Sequence, residues 1–283
     1  MLLTISPQIN AHQFDSLNLA LSVLIGLIVL AIPWALFGLS NRLGRTRKEN
    51  IRVATIFRKS YNVNMLSLSR LFLFGARDLW FEVPLPFFMR EPVYGMGWSR
   101  SLVGAVLAIF IIVYGQVQSW TPQLVTKPLR QAPPNKWVAM LWCALLSPVP
   151  LFAGLMLLLS SVFDANEPAG PRAAVLMPSI GVYAVLFAVN SSVHSYLIVR
   201  YTDGDKVAMN VGFYYMSNAF GRLVGTLASG VLYTYITPVS LGFGVCFLVS
   251  VVFTVISALV DVWIRDNEGG LACGPLSCCA GAA

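Results

Sequence analysis

Residues Asn62 to Met89, NVNMLSLSRLFLFGARDLWFEVPLPFFM, decide the fold class of this chain. Their length and apolar character fit a membrane-spanning helix. The stretch nevertheless contains four charged residues, Arg70, Arg77, Asp78 and Glu82. A charge at mid-bilayer depth costs about 2.5–3.5 kcal/mol on the insertion scale, so four of them require ion-pair partners or a water-filled cavity. Such residues are typical of a transporter and have little purpose in a membrane scaffold.

The composition of the whole chain indicates a membrane protein. Of its 283 residues, 57% are hydrophobic and 11% are charged, whereas soluble domains contain about 25% charged residues. Apolar runs long enough to cross a bilayer as helices recur along the chain, and they are continuous rather than alternating as in barrel strands. We predict an all-α membrane protein with seven transmembrane helices, at residues 17–39, 62–89, 101–121, 137–163, 173–200, 207–235 and 239–264.

Basic residues are concentrated on one predicted side of the membrane. Thirteen lie on that side, seven of them in residues 40–61, against three on the other, which are Arg90, Arg100 and Arg172. The positive-inside rule places residues 40–61 and the C-terminus in the cytosol and the N-terminus outside. We interpret the net charge of +7 as this topology signal and not as a nucleic-acid surface, and we predict a multi-pass protein of the plasma membrane.

The same pattern predicts four segments. Residues 1–39 form the external N-terminus and first span, 40–61 a basic cytosolic linker, 62–264 a six-helix unit, and 265–283 a cytosolic tail rich in cysteine and glycine. Cys143 and Cys246 lie inside spans, where packing is their expected role. For the tail cysteines we expect reduced thiols, with palmitoylation or soft-metal binding as alternatives; they are Cys273, Cys278 and Cys279.

Seven spans with an external N-terminus also describe retinal proteins and G-protein-coupled receptors. No predicted span contains the lysine that a retinal Schiff base needs, and neither receptor motif occurs at the ends of the third and seventh spans. The two histidines, His12 and His194, form no His-x-x-x-His pair, and no phosphate-binding glycine loop or nucleophile elbow is present. We therefore predict no enzyme, no metal and no cofactor, and we expect an ion gradient to drive any transport.

The fifth and sixth spans carry polar side chains at helical spacing. Asn190 and His194 are four residues apart and share a helix face. They either hydrogen-bond to other helices or line a substrate path. The sixth span has one stripe of polar residues at four-residue steps, namely Asn210, Tyr214, Asn218 and Arg222. We expect the last of these to pair with a buried acid or to bind an anionic ligand.

Small residues form a second stripe on the sixth span, at Ser217, Gly221, Gly225 and Ser229. Small residues at every fourth position let another helix approach closely in a membrane. We interpret this stripe as a packing surface.

On the second span, Arg70 and Arg77 are seven residues apart and lie on one face. One guanidinium group binds two oxygens of a phosphate-like group at once, so two aligned arginines suit a multiply charged anion. The neighbouring Asp78 and Glu82 could carry a proton. In the alternative interpretation, Arg70 extends to the cytosolic interface and the two carboxylates neutralise Arg77 and Arg222 as structural pairs.

Two prolines, Pro84 and Pro86, follow these charges. Proline removes a helical hydrogen bond and crowds the preceding turn. We predict that the end of the second span is broken or bent, as transporter helices often are near their gates.

Three segments resemble the ArsJ branch of organoarsenical exporters in the major facilitator superfamily: LFLFGARDLWFEVPLPFF (71–88), GWSRSLVGAVLAIFIIVYGQVQS (97–119) and VHSYLIVRYTDGDKVAMNVGFYYMSNAFGRLVGTLASGVLY (193–233). The resemblance covers most of residues 40–265. It implies efflux of arsenylated 3-phosphoglycerate, an unstable ester formed when glyceraldehyde-3-phosphate dehydrogenase uses arsenate in place of phosphate. Export of this ester gives resistance to arsenate.

This substrate carries phosphate, arsenate and carboxylate groups, which suit buried arginines. We expect the small anion to be held by Arg77, Arg222, Asn218, Tyr214, Asn190 and His194. We expect Asp78 and Glu82 to act in ion coupling or as charge partners. The alternative functions are export of another organic anion or a drug by a major facilitator, and a non-functional transporter fragment.

The resemblance also implies a longer protein. Major facilitators have twelve spans in two halves, and this chain matches the last helix of the first half and the complete second half. Residues 40–61 correspond to the loop that joins the halves. We expect either a fragment of a longer chain or a half-transporter that assembles with a missing N-terminal half in the lipid bilayer.

Overall fold

A computed structural model of the protein describes residues 11–38, 59–164, 167–202, 207–266, 272–273 and 276–277. The predicted linker lies mostly outside these residues, as do Cys278 and Cys279 of the tail. The chain divides into two units, Met1–Ile51 and Arg52–Ala283. The first unit contains helix α1, Ala11–Gly38, whose apolar stretch is Leu21–Trp34.

The second unit is helical, apart from a pair of two-residue antiparallel strands in the tail, β1 (Ala272–Cys273) and β2 (Leu276–Ser277). A π-helical turn, Pro122–Thr126, continues α4, and a 3-10 turn, Ser161–Phe163, follows α6. The helices are α2 (Tyr61–Asp78), α3 (Pro84–Arg90), α4 (Arg100–Thr121), α5 (Lys136–Leu146), α6 (Pro148–Leu159), α7 (Ala169–Arg200), α8 (Val207–Tyr235) and α9 (Val239–Val262).

Four segments are long and apolar enough to cross a membrane: Arg100–Thr126, Lys136–Leu159, Ala169–Arg200 and Val239–Val262. They correspond to the third, fourth, fifth and seventh predicted spans. Four such segments indicate a multi-pass, all-α integral membrane protein. The other three predicted spans stay predictions, because polar residues lower the hydropathy of α2 and α8 and the described apolar stretch of α1 is shorter than a span.

Prolines divide two of the predicted spans. The second predicted span is broken after Asp78, where the turn Leu79–Val83 precedes α3, and Pro84 occupies the first turn of α3, a position that needs no N–H donor. The break near Pro84 was predicted. The fourth predicted span, 137–163, is also divided: α5 ends at Leu146 and α6 begins at Pro148, a break that the continuous apolar run concealed.

Helix α2 packs against α8 and α9. A Cβ on Gly225 would lie 2.5 Å from the carbonyl oxygen of Gly75, and one on Gly221 would overlap the carbonyl of Leu71. The predicted packing surface is therefore confirmed at these two glycines. Cys143 and Cys246 are free thiols buried in the core, in agreement with their expected packing role.

Candidate substrate-binding site

Four of the predicted residues form one cluster of charges between α2 and α8, which we call the quartet: Arg77, Asp78, Glu82 and Arg222. Asp78 joins the two arginines, because its Oδ1 accepts from Arg77 Nε at 2.7 Å and its Oδ2 from Arg222 Nε at 2.8 Å. Glu82 Oε1 lies 2.5 Å from Arg222 Nη2 and 3.6 Å from Arg77 Nη2. The quartet carries two positive and two negative charges, so its formal charges cancel.

The local structure explains why these residues meet. Arg77 and Asp78 end α2, and Glu82 lies in the turn before α3. Arg222 directly follows Gly221, whose missing side chain lets α8 approach the backbone of α2. The close glycine contact therefore brings Arg222 to Asp78 across 144 positions of sequence.

The sequence left open whether the arginines pair with acids or bind a ligand, and in this structure they pair with Asp78 and Glu82. The four side chains of the quartet differ in their exposure, however. The side chain of Asp78 is 0% exposed and that of Arg77 12%, whereas Glu82 is 34% and Arg222 46% exposed. A small anion could therefore reach Arg222 from the surface without disturbing Asp78.

Aromatic rings surround Arg77 on its buried side. Its Cζ lies 5.1, 5.5 and 5.7 Å from the ring centroids of Phe74, Phe187 and Phe81. Ring faces attract cations. The guanidinium is thus held between carboxylates and aromatic faces, which fixes its position.

Arg70 lies in a different environment, one that the sequence did not predict. The residue is 3% exposed, so the alternative that it extends to the cytosolic interface is wrong. Its Nη1 donates to Ser191 Oγ at 3.1 Å, and its Cζ lies 3.9 Å from the centroid of Phe74 and 5.1 Å from that of Tyr214. The burial follows from the packing of α2 against α7, α8 and α9.

The predicted polar stripe of α8 is divided between the quartet and the surroundings of Arg70. Arg222 belongs to the quartet, whereas Tyr214 lies beside Arg70, about 12 Å farther along α8 at 1.5 Å per residue. Tyr214 is fully buried, and its hydroxyl has no hydrogen-bond partner in the part of the chain that the structure describes. Asn218 lies between Tyr214 and Arg222 in sequence, and its Oδ1 also has no partner among the residues described.

Asn190 and His194 are completely buried on α7. The Nε2 of His194 lies 3.4 Å from Oδ2 of Asp261 on α9. Ser257, one turn before Asp261, meets Ser69 of α2 at 2.9 Å, so the His194–Asp261 pair lies toward the opposite end of α2 from the quartet. The structure therefore does not bring His194 to Arg77 and Arg222.

Sequence reasoning overlooked two buried charges. Asp261 is an acid in the last turn of an apolar span, which is the signal that could have identified it. Arg172 was counted only as an external basic residue, yet it is 1% exposed. Its guanidinium donates to five backbone carbonyls, at 2.6–3.2 Å, in two loops: Val93, Gly95, Val162, Asp164 and Glu167.

Comparison of the chain with protein-family models, with curated proteins and with solved structures finds no match. The resemblance to organoarsenical exporters is therefore still a prediction, carried by the three sequence segments alone.

A pocket of about 400 Å³ lies away from the quartet, between the end of α4 and α7. Its lining is mostly apolar and includes Pro122, Pro133 and Tyr196, with Lys127 as its one charged residue. Within the described parts of the chain, no group of three or more His, Cys, Asp or Glu residues could hold a metal ion. We take the quartet as the candidate substrate-binding site, because it contains two arginines and the side chain of Arg222 is 46% exposed.

Outside the membrane segments, Tyr201 follows α7 and donates its hydroxyl to Asp266 Oδ2 at 2.6 Å. Burial, reinforced by this hydrogen bond, raises the pKa of Tyr201 above its usual value. The hydrogen bond joins the residue after α7 to the segment after α9.

Proposed function

We propose that this protein is a secondary membrane transporter that exports an organic anion, and that the anion is arsenylated 3-phosphoglycerate. The observation that carries the proposal is the quartet. Two arginines and two carboxylates lie between helices of an integral membrane protein, where charged residues are rare and usually functional. The arsenical itself is suggested by the resemblance of three segments to organoarsenical exporters.

The quartet suits reversible binding of an anion. Arg222 is the most exposed member, and the guanidinium fork of an arginine binds two oxygens of a phosphate or arsenate at once. An arriving anion competes with Glu82 and then with Asp78 for the two arginines. The displaced carboxylates return to the arginines when the anion leaves, or exchange a proton as it moves. The arginines then have a negatively charged partner both when the anion is bound and after it has left.

The break in the helix supplies a place for movement. The turn Leu79–Val83 separates α2 from α3 and contains Glu82, so a change in this turn also changes the contacts of the quartet. Broken helices beside the binding site are common in transporters. Export of a different organic anion or of a drug is the alternative function, because binding at the quartet requires only a negatively charged group.

The test uses the complete transporter in arsenate-sensitive cells. Arg77→Gln and Arg222→Gln should each abolish arsenate resistance at unchanged protein level. Arg→Lys at either position should also be damaging, because a point charge cannot replace a bidentate fork. The exposed Arg90 ends α3, and Arg90→Gln is the matched control that should keep full resistance.

A double variant separates substrate binding from charge pairing. If Arg77 acts only as the partner of Asp78, Arg77→Gln combined with Asp78→Asn should restore transport. If Arg77 binds the substrate, the double variant stays inactive. Normal transport by the double variant beside an inactive single one would show that Arg77 is a structural partner.

A further inference from the structure

The arginines of α2 and α8 differ in their partners. Arg77 and Arg222 each contact carboxylates, but Arg70 forms no ion pair in the part of the chain that the structure describes. One of its N–H groups is bonded to Ser191 Oγ, and its Nε has no hydrogen-bond partner among the described residues. A buried cation without a counter-ion is strongly unfavourable in a membrane protein. The positive charge of Arg70 therefore needs an anion to neutralise it.

The groups around Arg70 are suited to an anion. Ser191 Oγ accepts from Arg70 Nη1 and also from the hydroxyl of Tyr114, each at 3.1 Å. The ring of Tyr214 lies against the Arg70 guanidinium, and its hydroxyl has no hydrogen-bond partner within the described ranges. Among the described residues, no carboxylate forms an ion pair with Arg70, in contrast to the arginines of the quartet. Unused N–H and O–H donors around one positive charge are the groups that bind a phosphate or carboxylate.

The ring of Phe74 separates Arg70 from the quartet. Its centroid lies 3.9 Å from Arg70 Cζ and 5.1 Å from Arg77 Cζ. The two arginines are seven residues apart on α2, which is about 10.5 Å along the helix. An anion that leaves Arg77 and moves along α2 therefore has to pass the ring of Phe74 before it meets Arg70.

We propose that Arg70, supported by Ser191 and Tyr214, is a second and inner binding site for the transported organic anion, reached from the quartet past Phe74. This inference rests on the proposed function and adds a second position to the substrate path. The ligand is an organic anion with a phosphate-like or carboxylate group, because one guanidinium fork and one hydroxyl match those oxygens.

Equilibrium binding of radiolabelled 3-phosphoglycerate to the purified, detergent-solubilised protein tests the site. This probe is stable and has the phosphate and carboxylate chemistry of the proposed substrate. Arg70→Gln should raise the Kd by about tenfold or more, the effect expected when charge-assisted hydrogen bonds are lost. Arg90→Gln, which removes an exposed arginine, should leave the Kd unchanged.

A smaller change guards against loss of folding in the arginine variant. Ser191→Ala removes the hydroxyl that positions Arg70 and should raise the Kd severalfold. Its matched control is Ser195→Ala, one turn along α7, because that hydroxyl donates only to the backbone oxygen of Ser191. If Arg70→Gln does not fold, the Kd of Ser191→Ala compared with that of Ser195→Ala tests the inner site instead.

The outcomes separate the two proposals. If the wild-type protein does not bind 3-phosphoglycerate and does not confer arsenate resistance, the proposed function fails. If the wild type binds, Arg77→Gln loses binding, and both Arg70→Gln and Ser191→Ala bind like the wild type, only the inner site is overturned. A raised Kd for Ser191→Ala with an unchanged Kd for Ser195→Ala supports it.

Discussion

A buried guanidinium can be satisfied by carboxylates, by backbone carbonyls or by aromatic rings, and this protein contains each case. Arg77 contacts carboxylates and Arg172 contacts carbonyls, whereas Arg70 contacts two rings and a hydroxyl. The kind of partner determines the role that we expect for each arginine. Arg172, bonded to fixed backbone carbonyls, is expected to hold the loops together. Arg77 and Arg70 are among the arginines proposed to bind the anion, because a carboxylate partner can be exchanged and aromatic rings supply no negative charge.

Arg172 gives a prediction about stability. Replacing it with alanine leaves five loop carbonyls without their donor, and each unsatisfied buried group costs about 1–3 kcal/mol unless water replaces the donor. We expect Arg172→Ala to lower the unfolding free energy by about 3 kcal/mol or more, measured as a fall in Tm by tryptophan fluorescence of the purified protein. Arg172→Lys should recover only part of this loss, because lysine has fewer donors.

Arg100 is the control for this prediction, since it is exposed at the start of α4. Arg100→Ala should leave the Tm unchanged. An Arg172→Ala variant as stable as Arg100→Ala would mean that water satisfies the loop carbonyls equally well.

The residues of the quartet could be named from sequence, but their arrangement could not. Charges inside apolar runs identified Arg77, Asp78, Glu82 and Arg222. Which acid meets which arginine depends on the contact of α2 with α8, and no local pattern encodes a contact between residues 144 positions apart. The sequence left the burial of Arg70 open for the same reason, because it depends on how α2 packs against α7, α8 and α9.

At the scale of the helices, continuous apolar runs predicted the helical segments, and the spacing of small residues predicted that another helix packs closely on α8, without indicating which one. Breaks were harder to predict. Pro84 follows charged residues and was recognised as a breaking point, but Pro148 lies in an unbroken apolar run and still separates α5 from α6. A hydropathy pattern reports burial in lipid and does not report whether the helix is continuous.

The α2–α8 contact can be tested through its glycines. A Cβ on Gly221 would overlap the carbonyl of Leu71, and one on Gly225 would crowd Gly75. We expect Gly221→Ala to destabilise the protein by about 1–3 kcal/mol, the usual cost of overpacking, and to weaken transport, because separating the helices moves Arg222 away from Asp78. The measurements are Tm and arsenate resistance.

Gly230 is the matched control on the same helix, because a Cβ there meets nothing within 4 Å. Gly230→Ala should stabilise the protein slightly, by up to about 1 kcal/mol, since alanine is the better helix former. Equal behaviour of Gly221→Ala and Gly230→Ala would contradict the close packing of α8 on α2.

At the scale of the whole molecule, the membrane character of the chain rests on four segments, whereas the number of spans rests on α1, α2 and α8 as well. Helix α8 has 29 residues, long enough to cross a bilayer at 1.5 Å per residue. Its amides and Arg222 reduce its hydropathy. The polar residues that make α8 a candidate for substrate binding are thus the same ones that lower its hydropathy below that of the four membrane-spanning segments.

Three reporters test the topology and the span status of α8 together. The basic residues predict that a reporter fused after Gly270 is cytosolic and that one within residues 166–170 is external. A third reporter within residues 203–206 should be cytosolic as well, because α8 and α9 lie between it and Gly270 and two spans return the chain to the same side. Protease protection or a compartment-sensitive fluorescent reporter measures each position. Reversed results at Gly270 and residues 166–170 would overturn the orientation. Opposite sides for residues 203–206 and Gly270 would show that α8 does not cross the membrane, and the quartet would then lie outside any substrate path through it.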